Sequence, residues 1–381
     1  MQNYGNYIGR PNERTAGDRM PDIGVLHIDT GCAFRGGQRQ VALLADRLHR
    51  RGIPQVVACP PEGGIAARLA DMPIVELSRH SLIRKLHLRP LRDAILKHRL
   101  AIVHAHDSEA HTLGMLLKIA IPPLKLVVTR RVAFPPRGLF GARFKYRHHV
   151  DRFIAISPAV ADVLSMAGVD RDRIAIIPSG IDLQAVESAP GGDPEILALA
   201  ARYKHLVVSA GALTTEKDFG TAIRAMELVH AEIPDAGLII LGEGPERNGL
   251  AALIAERRLD YVHLLGHREP VAPIFKSGHL FLLTSRWEGL NTSAIEAAAC
   301  GLPLVVSDTG GLPEVVANGA NGVLCPTGNP AGYAAAAVDI LKQTDKRNRM
   351  GANSIARARR FDIEKVIPET VDLYKRVLGT R

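Results

Sequence analysis

Short runs of apolar, β-branched residues alternate along the chain with stretches whose apolar residues recur every three or four positions. In the first half, Val25–Ile28, Gln55–Ala58, Ile74–Leu77, Ile102–Ala105, Leu126–Thr129, Phe153–Ile156 and Ile174–Ile177 read as strands. Helical patterns lie between them at Gln38–Arg51, Ile65–Asp71, Leu91–Lys97 and Ala110–Ala120. Val41, Leu44, Ala45 and Leu48 share one face of the first of these, and Gly52 ends it. Ser157-Pro158 opens a further helix with a cap followed by proline at the first turn.

The second half restarts the pattern. Strands are expected at His205–Ser209, Gly237–Leu241, Val262–Leu265, His279–Thr284 and Leu304–Ser307. Helices are expected at Phe219–His230, Glu246–Arg258, Asn291–Cys300, Ala331–Lys342 and Lys346–Arg360. Such alternation predicts an α/β protein with mainly parallel sheets covered on both faces. SAPGGDP, Ser188–Pro194, breaks the pattern and places a linker over 186–202. Two Rossmann-like, doubly wound domains, 21–185 and 203–360, then face each other across a cleft. The polar residues 1–20 read as a disordered tail, and 361–381 as an amphipathic helix, Glu364–Leu378, outside the sheet order.

Composition narrows the class. A chain of 381 residues is too long for one ordinary core and suits two. No run approaches the ~18 apolar residues of a membrane span. The polar start has no signal-peptide core, which gives a cytoplasmic expectation. Cys32, Cys59, Cys300 and Cys325 are scattered, so neither disulfides nor a zinc site are expected. Charge is uneven: Arg79 to Arg152 holds 16 Lys/Arg against four acids, a local +12 in a chain of net charge +9. This points either to an anionic partner or to a solvated basic face. Aromatic residues make up only 4%, too few to interleave as base-stacking platforms, so no nucleic-acid partner is expected.

The candidate chemistry lies at strand ends. In EGLNTSAIE, Glu288 stands in a loop after an apolar run and Glu296 one turn into the next helix. A carboxylate accepts two neighbouring hydroxyls, which suits a ribose or hexose diol. Gly289 would leave room for a ligand against the backbone. Asn291 and Thr292 add polar groups at a helix N-terminus, where free N–H groups also favour phosphate. The same pattern alone fits a capped helix with solvated acids. Gly211 and Lys217 form a glycine turn and a lysine before a helix, able to neutralise a diphosphate. Gly242 and Gly244, after the next strand, could admit a nucleobase or ribose, or be a tight turn. Gly36 and Gly37 open a helix without a GxGxxG fingerprint and could nest an oxyanion or sugar. His104, His106 and His111 gather around Asp107. A shared metal is one reading of them; the favoured one has His106 lining the cleft as a hydrogen-bond donor over a packed His104.

Taken in order, GGQRQV, VHAH, FIAISPAV, IIPSGID, AGALTTEKDF, LGEGPER and EGLNTSAIEAAACGLPLVVSDTGGLPEVV resemble the GT-B glycosyltransferases of the large retaining family 4, from about Val25 to Tyr374. The resemblance implies a nucleotide-sugar donor on the second domain and an acceptor on the first. It implies that Glu296 holds the ribose, Glu288 sits near the donor sugar, and Lys217 and Gly211 meet the diphosphate. Gly36 and Gly37 would approach the diphosphate or acceptor, and the last helix, with Tyr374, would cross back onto the first domain. It further implies transfer without a metal or other cofactor. The cell-envelope setting expected for such an enzyme adds a glycan or lipid-linked acceptor, which could be anionic, and peripheral contact with an anionic membrane. Two positions depart from the family pattern. TRRVAFP puts Arg131 where the family often has histidine, and Ala212 follows Gly211 where it often has arginine. Arg130 or Arg131 could supply the missing positive charge from the first domain, or bind an acidic acceptor. An epimerase, a phosphorylase or a silent nucleotide-sugar-binding subunit are the alternatives.

Overall fold

The computed structural model describes residues 23–69, 71–78, 88–134, 145–146, 148–191 and 194–379. The expected tail over 1–20, and part of the basic stretch between Arg79 and Arg152, lie outside them.

Two parallel sheets form, as the alternation predicts. The first contains β1 (Val25–Ile28), β2 (Gln55–Cys59), β3 (Ile74–Glu76), β4 (Ile102–Ala105), β5 (Lys125–Arg130), β6 (Arg152–Ala155) and β7 (Ile174–Ile176). Their order is β3-β2-β1-β4-β5-β6-β7. The second contains β8 (His205–Ala210), β9 (Ala236–Leu241), β10 (Val262–Leu264), β11 (Leu280–Leu283), β12 (Leu304–Ser307) and β13 (Gly322–Cys325), in the order β10-β9-β8-β11-β12-β13. β1 and β4 are fully buried along their length, as are β8 beyond His205 and β11, so they read as near-continuous apolar runs, interrupted by His27, His104 and Ser209, rather than alternating ones. Strand order reverses between β1 and β4 and between β8 and β11. Crevices open at such switch points, outside the carboxyl ends of the strands.

Several boundaries differ from expectation. The helix after Gly64 stops at Arg68, and the one before β4 begins at Leu88. The stretch 186–202 is not a plain linker: Leu183–Ser188 and Pro194–Ala200 are helical, and Ile196 is fully buried. Packing of that one side chain outweighs the turn composition around it. β13 has no counterpart in the sequence reading, because its four residues sit between Gly- and Asn-rich turns. It completes the sheet by pairing with β12, Leu304 against Gly322.

The last helix, Ile363–Leu378, crosses back onto the first domain. Ile363, Val366, Ile367, Val371 and Tyr374 pack with Val25, Leu44, Leu48, Ile102 and Val127 in one core cluster. Asp362 caps it, and the left-handed Gly379 (φ 74°) ends it. Asp362 also bridges to Ile181, with Ile363 N donating to Ile181 O at 2.9 Å. Arg47 meets both Asp182 (2.5 Å) and Glu364 (2.9 Å), so the crossing point is fixed by charge as well as by burial. Among the described residues, no helix is long and apolar enough to cross a membrane.

Candidate functional site

The crevice of the second sheet holds most of the expected residues. Gly211 follows β8, and a Cβ there would touch the Lys217 side chain at 3.6 Å. Lys217 precedes the helix Phe219–Glu232 and forms an ion pair with Glu288. The same Glu288 Oε1 accepts from Ser285 Oγ and from Asn291 Nδ2, each at 2.9 Å. Asn291 simultaneously caps the helix Thr292–Ala299 through Ala294 N at 2.8 Å. Glu288 is therefore a buried carboxylate held by three donors, and Lys217 shares its charge with it. Fixed ion pairs of this kind are worth holding only where the geometry is satisfied.

Glu296 lies one turn along that helix, 7% exposed. Its Oε1 accepts from Arg39 Nη2 at 2.9 Å, across the cleft from the first domain. Its Oε2 is buried with no hydrogen-bond partner. Burial raises its pKa, and the Arg39 guanidinium opposes that rise. Residues of both domains, Arg39, Gln40, Arg68, Glu269, Thr292 and Glu296 among them, line a cavity of about 300 Å³.

The glycines divide into two kinds. A Cβ on Gly289 would sit 1.9 Å from the Arg131 carbonyl oxygen, and one on Gly311 would sit 2.0 Å from the Gly289 oxygen. Gly289 thus makes room for the backbone of the other domain, not for a ligand as expected; Ser157 Oγ donates to its carbonyl at 2.7 Å. Gly242 (φ 143°) and Gly244 are likewise needed by backbone: their Cβ atoms would meet the oxygens of Gly211 at 1.8 Å and Leu213 at 2.3 Å. These contacts fit the tight-turn alternative for the two glycines. Gly36 and Gly37 differ. A Cβ would meet only Thr292 Oγ1 at 3.7 Å on the first and Arg131 Cδ at 3.7 Å on the second, both ordinary contacts. Packing does not require glycine there, and the helix N-terminus stands between Thr292 and Arg131.

The first-domain wall is built differently. His27 on β1 and His104 on β4 are register partners. With His106 they bring three ring nitrogens within 4.8 Å. Those nitrogens are already engaged: His27 with His106 at 3.0 Å and with Gln55 at 3.0 Å, His104 with Thr129 and with Tyr374 at 2.6 Å each. The set is a hydrogen-bonded network joining the sheet to the last helix, and Nδ1 of His106 is its one buried nitrogen without a partner. Burial drives His27 down to about 4 and holds His104 and His106 well below the usual histidine range, so all three are neutral. His27 escaped the sequence reading; its signal was a histidine inside an apolar strand at the same register as a second one. His111 is not part of this network but packs edge-on against Tyr146 and Phe153.

Arg131 follows β5. Its Nε is buried without a partner, and Nη1 donates to Ser179 Oγ at 3.4 Å. Burial pushes its pKa down to about 10, with Asp29 opposing. Asp29 is itself raised by burial and then by Asp107, against hydrogen bonds from Gln38 and Gly31 at 2.9 Å each. Asp107 caps the helix Ser108–Ala120 and accepts from Thr30 N at 2.5 Å, so it is a structural carboxylate.

Comparison with known proteins places both halves. Residues 34–185 match the model described as Glycosyltransferase Family 4, and residues 199–357 match that described as Glycosyl transferases group 1. The chain is 32% identical to N-acetyl-alpha-D-glucosaminyl L-malate synthase of Bacillus anthracis, over 41% of each chain. It is 28% identical to D-inositol 3-phosphate glycosyltransferase of Paenarthrobacter aurescens, over 60% of this chain and 58% of that one. The matched part thus spans between about two fifths and three fifths of these relatives' length. In fold, the chain resembles HepE of Anabaena, solved in complex with UDP-glucose, at a TM-score of 0.80 and 20% identity over 92% of this chain and 99% of that one. It also resembles sucrose-phosphate synthase of Thermosynechococcus elongatus, at 0.80 and 19% over 94% and 99%.

Proposed function

The chain belongs to the group 1 glycosyltransferases of the GT-B fold, and from that premise we propose that it moves a sugar from a nucleoside-diphosphate sugar to a glycan or lipid-linked acceptor in cell-envelope synthesis. The observation that carries this reading is the gathering of Lys217, Glu288 and Glu296 at the β8–β11 switch point, opposite Gly36, Gly37 and Arg131. In this reading Glu296 accepts the ribose hydroxyls, and Glu288 lies beside the donor sugar, held by Asn291. Lys217, the Gly211 turn, Arg131 and the helix N-termini at Gly36 and Thr292 neutralise the diphosphate. Gly36 and Gly37 let the phosphates reach the backbone.

The anomeric carbon–oxygen bond to the diphosphate breaks as the bond to the acceptor hydroxyl forms on the same face. The hydroxyl proton passes to the leaving diphosphate, and the anomeric configuration is kept. Stabilising the charge that builds on the diphosphate does most of the work, with no metal ion required by a site that brings two cations of its own. In this reading His106 serves the acceptor side; its support is the one buried ring nitrogen, Nδ1, that has no partner in the histidine network. The local charge of +12 between Arg79 and Arg152 supports an anionic acceptor and contact with the anionic inner face of a membrane.

The test is release of nucleoside diphosphate from a panel of nucleotide sugars with a cell-envelope extract as acceptor. Release from one donor, lost in Lys217→Ala, supports the reading, and the anomeric proton of the product reports the configuration. Release from none of the panel overturns it.

A further inference from the structure

An ion-pair chain crosses the cleft beside Glu296. Arg68 meets Glu269 at 2.8 Å, Glu269 meets Arg39 at 3.6 Å, and Arg39 meets Glu296 at 2.9 Å. The two arginines belong to the first domain and the two glutamates to the second, so the partners alternate across the cleft. Arg68 is steadied by stacking over Phe34 at 3.8 Å. Arg39 stands within a turn of Gly36 and Gly37 on the same helix.

The chain ends on a carboxylate of unequal oxygens. Glu296 lines the shared cavity; its Oε1 is occupied by Arg39, whereas its Oε2 is buried and unpartnered. A buried carboxylate without a cation would take up a proton rather than stay charged. A free acceptor oxygen held in place by a cation on its twin is the arrangement a hydroxyl ligand needs.

We infer that Arg39 is a positioning residue for the donor: reaching from the first domain, it keeps Glu296 ionised and oriented so that Oε2 accepts the ribose hydroxyls. The donor-ribose site is then complete only when the two domains are closed together. This rests on the transferase reading above. The groups facing Glu296 are Arg39 and Glu269, with Cys300 on its own helix. Arg39 favours the ionised form and Glu269 opposes it.

The test is titration of the wild-type protein and variants with UDP-, GDP- and ADP-linked hexoses from about pH 5.5 to about pH 8.5, a range in which the sugar diphosphate itself does not titrate. Arg39→Met is expected to weaken binding at least about tenfold near neutral pH and to recover as pH rises, its midpoint moved up by about one unit or more. Arg39→Lys keeps the midpoint near that of the wild type. Glu269→Gln moves it down, which gives a second reading should Arg39→Met not fold. Glu296→Gln loses the pH dependence altogether. Binding by Arg39→Met that is unchanged, or weakened equally at every pH, overturns the inference while leaving the transferase reading intact. So does an unmoved midpoint in Glu269→Gln. A wild-type protein that binds none of these donors overturns both.

Discussion

The two walls of the cleft hold their charge in different ways. On the second domain, Lys217, Ser285, Glu288, Asn291 and Glu296 come from two loop–helix junctions, and one buried oxygen of Glu296 is left open. On the first domain, residues spread from His27 to Tyr374 close into a network of neutral rings, with Arg131 packed beside it. The first arrangement offers open valences to a ligand. The second spends nearly all of its hydrogen bonds on holding the sheet to the last helix. The difference teaches that buried polar groups at a strand end carry ligand chemistry only where some of them remain unsatisfied.

Breaking the open wall should cost activity and little stability. Lys217→Ala and Glu296→Ala are each expected to lower transfer by roughly 10²–10³-fold or more, with the thermal midpoint little changed. Initial rates beside melting curves check this, and a wild-type rate in both variants would end the site assignment. The glycines sharpen the contrast. Gly36→Ala, which meets only an ordinary contact at 3.7 Å, should reduce donor turnover severalfold without unfolding the chain. Gly289→Ala, whose Cβ would lie 1.9 Å from the Arg131 oxygen, should lose stability first.

Much of this was legible in the chain. The α/β class and most strands follow from apolar runs that alternate with helical periodicity. Glu288 and Glu296 were visible because they lie in one contiguous stretch, and Lys217 because it stands at a helix start. What was hidden depends on distance in sequence. His27 and His104 become neighbours only through the register of β1 and β4. Arg39 meets Glu296 across 257 positions. Gly289 looked like space for a ligand because nothing local shows that the Arg131 carbonyl fills it. The helix at Pro194–Ala200 was masked by Gly and Pro beside it and is revealed by the burial of Ile196.

Arg131 joins the two walls and so tests where one ends. Arg131→Ala should reduce turnover by about 10–100-fold if its charge serves the diphosphate, with Arg131→Lys partly restoring it. Unchanged turnover and acceptor affinity would assign Arg131 to the closed network alone.

Smaller effects are expected from the closed wall. Tyr374→Phe removes the hydroxyl that His104 Nδ1 meets at 2.6 Å and should cost about 1–2 kcal/mol in stability with donor binding unchanged. Denaturant melts read this directly. The buried histidines also set an acid limit. Because their folded pKa values lie below the unfolded value, the unfolded chain takes up protons first. Their contribution is full above the unfolded histidine pKa of 6.5 and is lost as pH falls from there towards about 4, the folded value of His27. Melting temperature against pH should therefore fall across that window. His111, driven by burial down to about 3, adds to the slope, and His111→Phe should flatten it slightly.

The central claim is that the open wall is a donor site. Its most direct measurement is saturation binding of nucleotide sugars to the wild-type protein and to Glu296→Ala and Lys217→Ala, each shown folded by its melting curve. The account predicts that the wild type binds at least one donor saturably and that both variants lose it. Binding retained in both variants, or absent from the wild type for every donor, would contradict it.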